Sequence, residues 1–150
     1  MENNKAATET LNDLVLINND RIEGYEKALK KLGENDGNLR VLFLEMIDQS
    51  HRFKVQLGTE VEVLGSDIEQ GTSTGGKLHR AWFELKAAFS GHSEKSILEE
   101  CESGEDAIKK AYKSALDDDD LPAYLRDILE DQLSTLRDSH DEIKALRDNA

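Results

Sequence analysis

Apolar residues return at every third or fourth position through four long runs of this chain, and its single proline, Pro122, falls inside none of their interiors. That spacing gathers side chains on one face of an α-helix, and a proline in mid-run would break the backbone ladder. The first run, residues 8–32, carries Leu11, Val15, Ile22, Tyr25, Leu29 and Leu32 and stops at Gly33. The second, 39–64, carries Phe43, Ile47, Leu57, Val61 and Leu64 and stops at Gly65. The third, 94–116, carries Ile97, Leu98, Cys101, Ile108, Ala111, Tyr112 and Ala115. The fourth, 121–147, carries Leu125, Ile128, Leu129, Leu133, Leu136, Ile143 and Leu146. Only Val55 to Leu64 alternates in the manner of a strand, and it continues a helical pattern with no turn signal between, so helix is expected there too.

The links between the runs decide how the helices are arranged. Residues 33–38 form a tight turn with Asp36 or Asn38 as the following cap, and Asp117–Asp120 with Pro122 separate the third run from the fourth. Links that short make antiparallel neighbours. Residues 66–92 are different: a Gly/Ser/Thr stretch leads into a short helical segment, 77–89, before Ser93 caps the third helix. A helix of ~25 residues spans ~38 Å, and this link is long enough to travel that distance. The expected fold is an all-α four-helix bundle in one domain, two antiparallel hairpins joined by a long crossover that contains a short helix, which is the ferritin-like connectivity.

Composition narrows the function classes. Nineteen basic against 32 acidic residues leave a formal charge of −13, which repels nucleic acid and anionic membrane surfaces and welcomes divalent cations. One cysteine excludes an intrachain disulfide, and no basic-apolar leader or long apolar run is present, so a cytoplasmic location is the default expectation. Nucleophile elbows and phosphate-binding glycine loops are absent from the sequence, and a non-enzymatic role is favoured.

The run Leu78-His79-Arg80-Ala81-Trp82, then Leu85-Lys86-Ala87-Ala88, then Ile97-Leu98 with Glu100-Cys101-Glu102, Gly104-Glu105-Asp106 and Ala111-Tyr112, resembles an uncharacterised bacterial ferritin-like four-helix-bundle family, a domain of unknown function. Asn12-Asp13-Leu14, Glu23-Gly24-Tyr25 and Ser139-His140-Asp141 extend the resemblance. It implies the bundle fold and no particular reaction.

Ferritin-like dinuclear centres take one glutamate from each of two helices and a Glu-x-x-His pair from each of the other two. Here Asn18, Glu105, Gln132 and His140 interrupt apolar stripes, Glu23 and Glu26 flank that of the first run, Glu102 lies one turn before Glu105, and Asp48 with His51, at the edge of its stripe, has the i, i+3 spacing of a ligand pair. Arg137 stands three residues before His140, where a carboxylate would be needed, so any site of Glu23, Asp48, His51, Glu102, Glu105 and His140 holding iron, manganese or zinc is incomplete by that standard. The competing reading of the same residues is a metal-free network in which Glu105, His140 and Asn18 hydrogen-bond one another and fix helix register. Two functions follow: a structural, interaction or stress-associated bundle, homodimeric through Trp82, Phe83, Leu85 and Phe89 in one version, or a ferritin-like metal-binding protein. Cys101, flanked by Glu100 and Glu102, reads as an inert buried thiol.

Overall fold

The computed structural model describes residues 2–71, 93–119 and 121–150. Four helices occupy them: α1 Glu2–Lys31, α2 Gly37–Val63, α3 Glu94–Leu116 and α4 Ala123–Asp148. The short helix expected at 77–89, with Trp82, Phe83, Leu85 and Phe89, lies outside the described residues. Helix α1 begins at Glu2 rather than Thr8, because Lys5, Ala6 and Ala7 are strong helix formers and Ala7 joins the core. The alternating stretch from Val55 is helical through Val63, with Leu57 and Val61 inward and Val55 and Val63 outward.

Caps explain where the helices start and stop. Gly65 adopts φ +86°, and the chain closes behind α2 with Gly65 N–H donating to Glu62 O at 2.9 Å and Ser66 N–H to Val61 O at 3.1 Å. Ser93 Oγ accepts from Ser96 N–H at 3.1 Å and so opens α3. Asp36 precedes α2, but its carboxylate accepts from Gly33 N–H at 2.8 Å and makes no side-chain bond to the helix it precedes. Pro122 sits one place before α4, and Arg126 reaches back to donate to Leu116 O at 2.5 Å and Asp118 O at 2.7 Å, satisfying the carbonyl of the last residue of α3 and one just beyond it.

Cross-helix pairs fix the topology. Between α1 and α3, Asn18 meets Tyr112, Arg21 meets Glu105 and Lys31 meets Glu100, so rising numbers face falling ones and the helices are antiparallel. Gln49 with Ser139 and Gln56 with Gln132 relate α2 to α4 in the same way. Helices α2 and α3 therefore run in the same direction, and the chain between them returns along the bundle: two antiparallel hairpins and a crossover. The start of that return is held by α1. Asn12 donates to Asp67 O at 3.1 Å and accepts from Glu69 N–H at 3.0 Å, and Asn19 donates to Gly71 O at 2.5 Å. Ile68, between these anchors, packs over Gly58, where a β-carbon would lie 2.8 Å from its Cδ1.

The core is divided. One apolar cluster gathers Leu11, Val15, Leu57, Tyr112, Leu125 and Leu133 around the Val63 end of α2. Another gathers Tyr25, Phe43, Ile97, Leu98, Cys101 and Ile143 around its Gly37 end. A layer of buried polar side chains separates them.

Candidate functional site

Arg21 defines the polar layer. It continues the spacing Leu11, Leu14, Asn18, Arg21, Tyr25, Ala28 and is fully buried. Its Nε and Nη2 lie 2.9 and 2.8 Å from Glu105 Oε1 on α3, an ion pair in which both side chains have zero exposure. The rest of the guanidinium is spent on α2: Nη1 donates to Met46 O at 3.3 Å and Ser50 Oγ at 3.0 Å, and Nη2 donates to Gln49 Oε1 at 3.1 Å. Tyr25 donates its hydroxyl to the same Glu105 Oε1 at 2.5 Å, and its ring lies 5.5 Å from the guanidinium carbon. Gln49 Oε1 also accepts from Ser139 of α4 at 3.0 Å. One arginine thus ties α1 to α2 and α3 directly, and to α4 through Gln49. Burial is the largest single influence and opposes its charge, but the attraction and hydrogen bond of Glu105, together with Tyr25 and Tyr112, outweigh it and hold the guanidinium above its ordinary pKa. Burial first and Glu105 second push the Tyr25 hydroxyl and the Cys101 thiol well up, so both keep their protons.

A second polar tier lies next to the first. Asn18 Nδ2 donates to Leu14 O and to Tyr112 Oη, each at 2.9 Å. Tyr112 donates to Gln132 Oε1 at 2.6 Å, and Gln132 Nε2 donates to Gln56 Oε1 at 2.9 Å. Among the described residues, Asn18 Oδ1 and Glu105 Oε2 are the buried side-chain atoms left without a hydrogen bond.

This layer does not fit a dinuclear metal centre. Such a centre needs inward carboxylates from all four helices to offset two cations. The mid-bundle positions here supply the carboxylate of Glu105 and, facing it, a guanidinium fixed by five acceptor contacts. Positive charge in the core is provided by the chain itself.

A separate cluster lies at the seam of α3 and α4. His140 Nε2 is 2.8 Å from Asp106 Oδ1 and 3.7 Å from Glu102 Oε1, and its Nδ1 is 3.2 Å from Asp141 Oδ1. One ligand atom from each of Glu102, Asp106 and His140 falls within 4.8 Å of the others. Glu102 and His140 are each 12% exposed at the side chain and Asp106 is 49% exposed, so the cluster opens to water on one side. Glu102 Oε2 accepts from Arg147 Nη1.

Of the candidates read from the sequence, Glu102 and His140 come together, and the reading omits both Asp106 and Arg21. The structure does not bring the other candidates to them. Glu23 pairs with Lys27 of its own helix at 3.1 Å; Asp48 pairs with Arg52 at 3.5 Å; His51 is exposed on the outer face of α2. The expected meeting of Glu105, His140 and Asn18 does not occur either. Glu105 turns to Arg21, Asn18 to Tyr112 and His140 to Asp106, because each position along α3 is rotated ~100° from the next and so faces a different helix. The sequence signal for Arg21 is only its place in the α1 stripe, and that for Asp106 only its standing one turn beyond Glu102; neither names the partner.

Among the described residues no helix is long and apolar enough to cross a membrane. A family model described as "Domain of unknown function (DUF2383)" matches residues 6–118. No curated protein matches the chain. Among solved structures, a point mutant of Mycobacterium smegmatis Dps1 superposes with a TM-score of 0.83 at 11% identity, covering 97% of each chain. At that identity the likeness shows the fold alone: a ferritin-like, all-α four-helix bundle.

Proposed function

Because the chain belongs to the family of the domain of unknown function DUF2383, which carries a fold without an assigned reaction, we propose that it is a non-enzymatic structural and interaction bundle that works through its surface. The observation that supports this most is the Arg21–Glu105 ion pair, buried between the two apolar clusters where a dinuclear oxidation centre would need open carboxylates. Such a layer fixes the register of four helices and leaves the bundle's outer faces as its working parts. With a formal charge of −13, those faces are suited to protein partners and cations rather than nucleic acid. The test is aerobic incubation with ferrous iron, followed by absorbance of ferric product. The expected rate equals that of buffer alone; rapid oxidation that Glu105→Ala abolishes would overturn the proposal.

A second reading rests on the seam of α3 and α4. Two carboxylates one helical turn apart and an imidazole from the facing helix make a donor set suited to zinc, manganese or iron, with water in the remaining positions. Asp141 beside Nδ1 is the type of outer carboxylate that orients a ligating histidine toward a cation with its Nε2. Elemental analysis of protein purified without chelator decides it. Near-stoichiometric metal, lost in His140→Ala and in Asp106→Asn, establishes the site; metal-free wild type after supplementation removes it.

A further inference from the structure

The outward face of α2 carries a pattern that packing among the described residues does not use. Val41, Leu44, Asp48, His51 and Val55 recur at alternating intervals of three and four, the seam of a coiled coil, on the side opposite Leu39, Phe43, Met46, Ser50, Phe53 and Leu57. The three aliphatic members are 60%, 51% and 71% exposed, and Asp48 and His51 are exposed between them.

We propose that this seam docks on itself, joining two copies of the chain through antiparallel α2 helices. Polar residues at seam positions select register and orientation, and here they select one. When two such helices cross antiparallel with residues 49 and 50 at the two-fold axis, Leu44 of each copy faces Val55 of the other. Asp48 then faces His51 twice, once on each side of the axis. The next layer sets Val41 against Gly58, over which Ile68 of that copy lies. Glu45 and Arg52, on one flank of the seam, also meet with opposite charge. A parallel pairing would instead set Asp48 against Asp48, so the pattern disfavours it. The chain's net negative charge does not weigh against contact here, because residues 40–55 hold Arg40, Arg52 and Lys54 against Glu45 and Asp48. The inference rests on the reading of the protein as an interaction bundle and names the partner as a second copy.

Sedimentation velocity on the full chain tests it, with helicity followed by circular dichroism to confirm that each variant folds. Wild type is expected to move from monomer to dimer as concentration rises. Leu44→Asp is expected to weaken association at least tenfold, and His51→Glu to do the same by setting two acids together. The double variant Asp48→Lys with His51→Glu restores opposite charges in the antiparallel register and is expected to recover the dimer. Tyr124→Glu, at an exposed aromatic on α4, leaves it unchanged. Three results would overturn the proposal: a monomer at all concentrations, a dimer indifferent to Leu44→Asp, or a double variant no better than His51→Glu alone. A monomer whose melting temperature drops on Leu44→Asp would assign the face to another segment of the same chain. Any of these can occur while ferrous iron stays unoxidised, so the failure of self-docking and the failure of the broader reading are separable.

Discussion

Glu105 and Asp106 are adjacent in sequence and opposite in circumstance. Glu105 points into the bundle, has no exposure, and is matched by a guanidinium equally cut off from water. Asp106 points along the α3–α4 seam, is half exposed, and shares a histidine with Glu102. A single ~100° step around the helix axis converts a structural ion pair into an adaptable surface cluster. The comparison teaches that charge alone says little about role: the buried pair is costly to separate and its partners are fixed, whereas the seam cluster opens to water through Asp106.

The comparison breaks most visibly at Arg21. Arg21→Met leaves Glu105 buried without its partner and is expected to lower unfolding free energy by about 3–5 kcal/mol in urea titration. Adding Glu105→Leu removes the orphaned charge, and the double variant is expected to regain most of that loss. If both variants were equally unstable, the layer would act through packing volume rather than charge.

Alkaline titration sharpens the contrast with a smaller effect. Tyr25, Tyr112 and Cys101 are pushed up chiefly by burial, with Glu105 adding to Tyr25 and Cys101 and the hydrogen bond from Asn18 offsetting part of the rise at Tyr112. The folded chain keeps these protons, while the unfolded chain releases them above roughly pH 8.5–10. Above that range the unfolded state binds fewer protons, so stability is complete below it and falls as pH rises, by up to about 1.4 kcal/mol per group per pH unit. Urea midpoints between pH 8 and pH 10.5 would show the slope, and Tyr112→Phe should flatten it. The seam is expected to respond least: His140→Ala should change stability by about 1 kcal/mol, because its nearest partner Asp106 is half exposed and Arg147 still pairs the more buried Glu102. A loss comparable to that of Arg21→Met would mean that the seam belongs to the core.

Much of the architecture is legible directly in the sequence. The stripes through Leu11, Leu57, Ile108 and Leu133 place four helices on one core, and the contrast between residues 33–38 and 66–92 separates tight turns from a crossover. The site is harder to read, for a physical reason. Apolar periodicity reports which face is inward but not which helix an inward side chain meets, and that depends on rotation and register between helices. The α3 stripe marks Glu105 as inward yet points to a partner on α4, while Arg21 escapes notice because arginine is seldom fully buried unless paired. Asp106 lies off the apolar row, and only the three-dimensional closeness of α3 and α4 makes it a neighbour of His140.

The grip of Asn12 on residues 67 and 69, with Asn19 on residue 71, has a consequence for how the chain reaches its fold. Each hairpin can zip from local contacts, but bringing the two together must close a long loop, and such closures slow folding. By holding the first part of the crossover on α1, the asparagines shorten the free segment that remains to be closed. The entropic saving is modest, since halving a loop is worth only about 0.6 kcal/mol. We therefore expect Asn12→Ala to slow the docking of the two hairpins by less than about twofold in stopped-flow refolding, because the clamp holds only the first part of that link. An unchanged refolding rate would show that the clamp forms after the docking barrier has been crossed.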